Sequence, residues 1–307
     1  MCCLFGIVDD SGSLSGRQLS RLTALLAAES EARGTDATGI AYNSGGALRV
    51  YKRPLPAHRM RFVIPDGTRV VMGHTRLTTQ GTEKRNYNNH PFLSRAGGVR
   101  FALAHNGVLH NDRILRRVHQ LPRTRIETDS FVAAQLLAQS GRLDFDSLRS
   151  MAELVEGSFV FTVLDDRNNL YFVKGDNPLC LYHFPRLGLY LYASTEEILK
   201  RAIRRGSLCL ERPERVELAE GDILRIDAQG RRAEERFTPS LSWMVPWRSY
   251  IPWACGARAV QDAEREYVEE LKSVAASFGY GPEEIQAMLD HGLTTDEIEE
   301  FLYCGEL

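Results

Sequence analysis

The first seven residues, Met1-Cys2-Cys3-Leu4-Phe5-Gly6-Ile7, decide how the rest of the sequence is interpreted. Cysteine is small enough for the preceding initiator methionine to be removed, which would leave Cys2 with both a thiol and a free α-amine. Their reference pKa values, about 8.5 and about 7.7–8.0, leave each group partly reactive near neutral pH. A nucleophile beside its own base suits covalent acyl transfer. The apolar run that follows predicts a buried strand. On these residues alone, a stray cysteine in a disordered tail remains an alternative.

Size and composition are typical of a soluble globular protein. The chain has 307 residues, 43% hydrophobic and 25% charged, which fits one large domain with or without an appendage. It lacks an apolar run of membrane-spanning length and the basic-then-apolar pattern of a signal peptide, so we expect no membrane association. Six scattered cysteines favour a reducing, cytoplasmic location. The eight histidines show no zinc-like spacing, and we expect neither a metal nor a cofactor.

Charge is distributed unevenly along the chain. Residues 261–307 contain thirteen acidic and two basic residues, a net charge of −11, which leaves +9 for the first 260 residues. An acidic tail on a basic body indicates either docking onto the same chain or a separate partner site. The arginines between 113 and 125 have no interleaved aromatic motif, so we interpret them as a solvated face and consider nucleic-acid binding improbable.

Hydrophobic periodicity predicts an alternation of helices and β-rich segments up to residue 237. The predicted helices cover 17–33, a stretch after the capping residues 128–130, 145–155, and a short segment from Thr195 to 205. The predicted strands cover 2–7, a hairpin made of 47–53 and the strand into which the loop within 33–42 runs, then 69–75, 98–105, 158–165, 170–173, 179–184, 187–193, and a closing hairpin of 221–227 and 231–237.

The composition changes at Pro239. All three tryptophans lie between 243 and 253, among prolines that favour an extended backbone. Beyond them we predict an acidic amphipathic helix over 261–278. Two short helices then follow from a repeat, in which Glu284-Ile285 recurs as Glu297-Ile298, with Pro282 in the first turn of one helix. We therefore predict a domain over 2–238, a Trp/Pro-rich linker over 239–260, and an acidic helical tail over 261–307.

Several motifs at predicted strand ends and in loops carry a family resemblance. With the segment from Cys2 to Ile7, the chain resembles the class II glutamine amidotransferase domain, an N-terminal-nucleophile hydrolase, over roughly 2–237. Single motifs of this kind are weak, but six in the family's order beginning at Cys2 are specific. They are Cys2–Ile7, Arg33-Gly34-Thr35-Asp36, Gly73-His74-Thr75-Arg76, Asn89-His90-Pro91-Phe92, His105-Asn106-Gly107 and Glu127-Thr128-Asp129.

The resemblance implies a role for each candidate residue. Cys2 would attack the side-chain amide of glutamine, with its own amine moving the proton. The Asn106 side chain and the Gly107 backbone N–H would stabilise the oxyanion. Arg76 would bind the α-carboxylate of glutamine and Asp129 its α-ammonium group. Thr79, in the loop after Arg76, is a weaker candidate for substrate contact.

Other motif residues are expected to be structural. We interpret Arg33 and Asp36 as scaffold, and His90 and His105 likewise, because the amine makes a histidine base unnecessary. Cys3 stands where many members have glycine, and its side chain should point to the opposite face of the strand from Cys2. Leu77 replaces an aromatic residue of some members. No synthetase domain is recognisable after residue 238.

The sequence thus predicts an α+β fold, a four-layer αββα sandwich of two antiparallel sheets followed by a small α-helical tail. The favoured function is a glutamine amidotransferase or glutaminase-type amidohydrolase that releases glutamate and ammonia for a separate acceptor synthetase. One alternative is a stand-alone hydrolase of a γ-glutamyl conjugate, and another is a non-catalytic regulatory or binding module on the same fold. The tail would either pack on its own domain or dock a partner.

Overall fold

The computed structural model describes residues 2–206, 211–239 and 280–293, together with the single positions Val268, Lys272, Ala275 and Ile298. The chain divides into two compact units, Met1–Leu241 and Ser242–Leu307, and each is described by itself. No helix among the described residues is long and apolar enough to cross a membrane.

The first unit contains thirteen strands, five α-helices and two short 3₁₀ helices (Ala57–Arg59 and Asn86–Asn88) in its described part. The strands are β1 (Cys3–Asp9), β2 (Ala37–Ser44), β3 (Ala47–Arg53), β4 (Val70–Arg76), β5 (Phe92–Ala96), β6 (Val99–Leu109), β7 (Gly157–Asp165), β8 (Leu170–Lys174), β9 (Cys180–Phe184), β10 (Leu189–Ala193), β11 (Glu214–Val216), β12 (Asp222–Ile226) and β13 (Arg232–Arg236). The helices are α1 (Gly16–Ser30), α2 (Asp112–Val118), α3 (Phe131–Ser140), α4 (Phe145–Leu154) and α5 (Glu196–Arg205).

The N-terminal strand β1 lies at the centre of the first sheet. This antiparallel sheet has seven strands in the order β11-β9-β10-β1-β4-β2-β3. Leu4 and Phe5 are fully buried on opposite faces of β1, and each burial contributes roughly 1.5–3 kcal/mol. Cys3 pairs with Thr75 of β4, so the start of β1 lies beside the end of β4. The chain terminus is therefore held inside the sheet next to Arg76.

The second antiparallel sheet has six strands in the order β13-β12-β8-β7-β6-β5. Its longest pairing joins β6 to β7, with Asn106 opposite Val160 and Gly107 opposite Phe159. The predicted strand over 98–105 thus continues to Leu109, because β7 pairs with β6 from Phe101 to Leu109.

Three apolar cores define four layers. Alternate residues of the two sheets meet in one core, which includes Leu4, Met72, Ala104 and Phe172. The other face of the seven-stranded sheet packs on α1 and α5, and the other face of the six-stranded sheet packs on α2, α3 and α4. This arrangement confirms the predicted αββα sandwich of two antiparallel sheets.

The predicted helices α1, α3, α4 and α5 are present, whereas three shorter elements were not predicted. These are β5, α2 and β11. At the start of α1, the Ser15 side chain accepts from the Gln18 N–H, while Gln18 accepts from the Ser15 N–H in return.

In the second unit, the structure gives bounds for the helix α6 (Pro282–Asp290), with Pro282 in its first turn as predicted, and the single described positions Val268, Lys272, Ala275 and Ile298 are also helical. Ile285 is buried with Ala275 and Ile298. The Trp/Pro segment after Pro239, most of the helix predicted over 261–278 and most of the second repeat helix around Glu297-Ile298 lie outside the described residues. The helical tail as a whole stays a prediction.

Candidate functional site

Cys2 is held at both its side chain and its backbone. Its Sγ lies 3.4 Å from the carbonyl oxygen of Leu77, and its own carbonyl accepts a hydrogen bond of 2.9 Å from Arg33 Nε. Burial raises the pKa of the Cys2 thiol, an effect opposed by the Leu77 hydrogen bond and by the positive charge of Arg76. A thiol of raised pKa is largely protonated near neutral pH, so this site needs a base to generate the thiolate.

Cys3 belongs to a different environment from Cys2. It is fully buried in the core between the seven-stranded sheet and α1, and burial raises the pKa of its thiol. Leu4, the next residue, lies in the core between the sheets. The side chain of Cys3 therefore faces the helices, as the alternation of a strand predicts.

Arg76, at the end of β4, is a buried cation held by neutral oxygens. Its Nη1 donates to Asn89 Oδ1 at 2.8 Å, and its Nη2 donates to the carbonyl oxygens of Gln80 at 2.5 Å and Gly81 at 3.5 Å. Only 3% of Arg76 is exposed, and burial lowers the pKa of its guanidinium group. Within the described part of the chain, every hydrogen bond that Arg76 makes goes to an uncharged group. A buried charge in this state is stabilised by an anion.

Asp129 precedes α3 and is held by the strand that carries Asn106 and Gly107. Its Oδ2 accepts from the Leu109 N–H at 2.7 Å. Its backbone N–H donates to Gln80 Oε1 at 2.6 Å, and the carbonyl of the same Gln80 accepts from Arg76. Gln80 thus connects the two residues predicted to bind opposite ends of an amino acid.

Asn106 and Gly107 lie near the end of β6. Asn106 is fully buried, and its Nδ2 lies 3.4 Å from Ser194 Oγ, which also accepts from the Leu4 N–H at 2.9 Å. Ser194 therefore connects Asn106 to β1, the strand that follows Cys2. The Asn106 carbonyl accepts from Asn177 Nδ2 at 3.2 Å, which fixes the backbone of the same strand.

Gly107 has a backbone conformation that a side chain would disturb. Its φ is +143°, and a Cβ at this position would lie 1.8 Å from the carbonyl oxygen of Ser158. Glycine is therefore required by both conformation and space.

In the loop after β4, the candidate Thr79 and the neighbouring Leu77 are less buried than the other site residues. Thr79 is exposed, and no hydrogen bond among the described residues joins its side chain to the other candidates. Leu77 is 40% exposed, while its carbonyl contacts Cys2. Asp36 supports this loop, because its Oδ2 accepts from the Thr78 N–H at 2.7 Å and its N–H donates to the Arg76 carbonyl at 3.0 Å.

Three buried histidines lie close to the charged residues of the site: Arg76 and Lys52 act on His74 and His90, and Asp129 acts on His105. His74 Nε2 donates to the His105 carbonyl at 2.9 Å, and His74 stacks on His90 with ring centroids 4.2 Å apart. His105 lies 2.8 Å from Ser130 Oγ through Nδ1 and 3.3 Å from the Ser158 carbonyl through Nε2. Burial lowers the pKa of His74 to about 3, lowers that of His105, and lowers that of His90 well below its usual value. Neutral histidines suit a structural role.

Several residues that hold the candidates in place had been assigned no role from the sequence, although Asn89 lies in one of the family motifs. Gln80, Asn89 and Ser194 connect segments far apart in the chain, and Lys52 donates to the carbonyls of Asn89 and Pro91. No local pattern distinguishes such residues, since each acts through a contact that exists only after folding. An open cleft of about 380 Å³ lies along Lys52, and its described lining includes none of the predicted site residues.

Comparisons with known proteins point to one kind of enzyme. No family model matches the chain. The glutamine–fructose-6-phosphate aminotransferase (isomerizing) of Bacillus cereus is 32% identical over 157 residues, covering 48% of this chain and 26% of the relative. The enzyme of the same name from Staphylococcus epidermidis is 32% identical over 192 residues, covering 58% of this chain and 30% of the relative. The chain thus spans less than a third of these curated relatives.

A solved structure supports the same fold. The glutamine phosphoribosylpyrophosphate amidotransferase of B. subtilis, complexed with ADP and GMP, matches with a TM-score of 0.60 and 22% sequence identity. The match covers 77% of this chain and 49% of that one. At this level of identity the likeness establishes the fold alone.

Proposed function

We propose that the described part of the first unit is a class II glutamine amidotransferase domain of the N-terminal-nucleophile hydrolase type, and that it hydrolyses the side-chain amide of glutamine with Cys2 as nucleophile. One observation carries the proposal. The Cys2 thiol contacts the carbonyl of Leu77, the residue after Arg76, and Gln80 hydrogen-bonds both Arg76 and the backbone of Asp129. A thiol, a buried cation that makes no salt bridge within the described residues and a carboxylate therefore meet in one place, and the charges of Arg76 and Asp129 act on the Cys2 thiol in opposite directions.

Substrate binding follows from charge. The guanidinium group of Arg76 would receive the α-carboxylate of glutamine, which supplies the anion that the buried cation lacks. Asp129 would receive the α-ammonium group. Since a γ-amide lies at the other end of the molecule, an amino acid held this way would present that amide to Cys2. Thr79 is proposed as a further contact at the mouth of the site.

The reaction would proceed in two stages. The Cys2 α-amine, exposed by removal of Met1, takes the thiol proton while sulfur attacks the amide carbon and forms a tetrahedral intermediate. The Asn106 side chain and the Gly107 N–H stabilise its oxyanion. As the C–N bond breaks, the protonated α-amine of Cys2 returns the proton to the leaving nitrogen. Ammonia departs, and a thioester remains between Cys2 and the glutamyl group. Water, deprotonated by the same amine, then attacks the thioester, and glutamate leaves as the Cys2 thiol is restored.

For the ammonia we propose a separate acceptor synthetase, in the cytoplasm, that docks through the Trp/Pro segment 239–260 or the acidic tail 261–307. The charge of −11 on the tail supports an electrostatic contact with a basic partner surface. The curated relatives extend far beyond the region that matches this chain, so the match does not include most of their length. The acceptor reaction is therefore proposed for a separate chain.

The proposed function is tested by measuring glutamate and ammonia released from L-glutamine by the purified protein. Equal amounts of both products are expected, with no turnover after Cys2→Ala. Cys3→Ala is the matched control, because Cys3 lies in the helix-side core, and turnover should persist. Full turnover by Cys2→Ala would contradict the proposed nucleophile. Hydrolysis of a γ-glutamyl conjugate in preference to glutamine would instead favour the alternative substrate.

A further inference from the structure

The side chain that holds Arg76 is itself fixed at both ends. Asn89 Oδ1 accepts from Arg76 at 2.8 Å, whereas Asn89 Nδ2 donates to the Glu83 carbonyl at 2.8 Å and to Asn86 Oδ1 at 3.2 Å. Asn89 is fully buried. The oxygens of Glu83 and Asn86 can only accept, so the end of the Asn89 amide that faces them must be the nitrogen. The Asn89 side-chain oxygen therefore faces the guanidinium group of Arg76.

A lysine on another strand fixes the backbone that carries Asn89. Lys52, on β3, donates through Nζ to the carbonyl oxygen of Asn89 and, at 3.1 Å, to that of Pro91. These two carbonyls lie on either side of His90 in the chain. The ammonium group of Lys52 therefore holds the loop both before and after His90, whose ring stacks on that of His74. The position of Asn89, and through it the orientation of Arg76, depends on this lysine.

The support holds the Arg76 guanidinium group through neutral atoms. Burial, and then the nearby charge of Arg76, lower the pKa of Lys52 to about 8. The carboxylates of Asp129, Glu83 and Asp36 act on Arg76 through space, and among the described residues none of them hydrogen-bonds its guanidinium group. The pKa values of the nearby His74 and His90 are lowered, which keeps both rings neutral. An aspartate in place of Asn89 would pair with the guanidinium group and compete with an incoming carboxylate. An amide orients the cation without neutralising it.

We propose that Asn89 and Lys52 are positioning residues that fix the Arg76 guanidinium group for a ligand carrying an α-carboxylate. The inference rests on the proposed function, since glutamine is the ligand in question. It adds a two-residue support outside the proposed catalytic and substrate-binding set. Hydrogen bonds between a charged and a neutral group are among the stronger ones in proteins, so removing this support should weaken ligand binding roughly tenfold.

Binding is measured separately from turnover to test the support. In the full chain carrying Cys2→Ala, the Kd for L-glutamine is determined by calorimetry, alone and with Asn89→Ala or Lys52→Met. Each added substitution should raise the Kd about tenfold. Lys52→Arg retains a cation with several donors and should stay within about twofold. The matched control is Lys84→Met, which makes the same change at an exposed position and should leave the Kd unchanged.

Kinetics of chains with Cys2 intact provide the second readout. Loss of positioning raises KM for glutamine at nearly constant kcat, whereas general damage to the fold lowers both kcat and the melting temperature. Should Lys52→Met fail to fold, Asn89→Ala alone decides. Kd and KM values within twofold of the parent in both variants would overturn the inference, as would absence of glutamine binding by the Cys2→Ala parent. Glutamine binding without glutamate release by the native chain would contradict the proposed hydrolysis instead.

Discussion

Arg76 shows at the scale of one residue why the site favours an amino acid. Its guanidinium group is buried, and its hydrogen bonds to Asn89, Gln80 and Gly81 use neutral acceptors. A buried cation without a carboxylate partner is costly unless a ligand supplies one. A substrate carboxylate has the charge that would stabilise this buried cation.

Arg76→Lys should raise KM for glutamine at least roughly tenfold while changing kcat less. Lysine keeps the charge, but it cannot hold the Asn89 and Gln80 oxygens while presenting a planar pair of donors to a carboxylate. Steady-state kinetics over a range of glutamine concentrations measure both constants. An unchanged KM would remove Arg76 from carboxylate binding.

Asn106→Ala should act on the chemical step. Removing one oxyanion donor typically lowers kcat by about 10²–10³-fold with little change in substrate affinity. Asn106→Asp is a stricter companion, because it preserves shape while placing a negative charge beside the developing oxyanion, and it should be no more active than Asn106→Ala. If either variant keeps the native turnover number, the oxyanion role belongs to another group.

The sequence predicted residues of this site to different degrees. Cys2, Arg76, Asn106, Gly107 and Asp129 belong to motifs with a fixed order, so a family resemblance identifies them as candidates. Gln80 and Ser194 were assigned no role because each acts through two hydrogen bonds to segments distant in the chain, and no local sequence pattern encodes those contacts.

At the scale of the secondary-structure element, Gly107 is constrained by β7, the strand that pairs with its own strand β6. A Cβ would meet the Ser158 carbonyl of β7 at 1.8 Å, and φ of +143° disfavours any side chain. Gly107→Ala should therefore lower the free energy of unfolding by about 2–4 kcal/mol and reduce hydrolysis, since the strand must shift.

Urea unfolding of matched glycine variants measures this effect. Gly98 lies in the turn before β6, where an added Cβ meets nothing within 4 Å, so Gly98→Ala should change stability by no more than about 0.5 kcal/mol. Equal stabilities for the two variants would contradict the proposed steric constraint.

Secondary structure was predictable where elements are long and periodic. The β1 strand and helices α1 and α4 follow directly from apolar spacing. The missed strand β5 has only five residues and follows Pro91, and α2 has seven residues, three of them arginine. Such elements are stabilised mainly by the strands and helices that they pack against, which the sequence reveals only weakly.

At the scale of the whole molecule, the buried histidines predict sensitivity to acid. The pKa of His74 is about 3 in the folded protein and about 6.5 when unfolded, so between these values only the unfolded chain binds the proton. Stability is therefore retained above pH 6.5 and is lost as the pH falls toward 3, by up to about 1.4 kcal/mol per pH unit for this group. The lowered pKa values of His90 and His105 act in the same direction.

Chemical unfolding between pH 7 and pH 4 tests this dependence. His74→Gln keeps an amide donor for the His105 carbonyl but removes the titration, so the loss of stability with falling pH should be shallower than in the native chain. His110→Gln makes the same substitution at an exposed position and should retain the native slope. Identical slopes in His74→Gln and the native chain would contradict the assignment.

The central claim is that Cys2 is an N-terminal nucleophile, and intact-mass spectrometry after treatment with a glutamine-mimicking diazoketone tests it most directly. The account predicts one adduct per chain, located on residue 2 of a protein that lacks Met1, and suppressed by excess L-glutamine. An adduct on Cys3, or labelled and active protein that retains Met1, would contradict it.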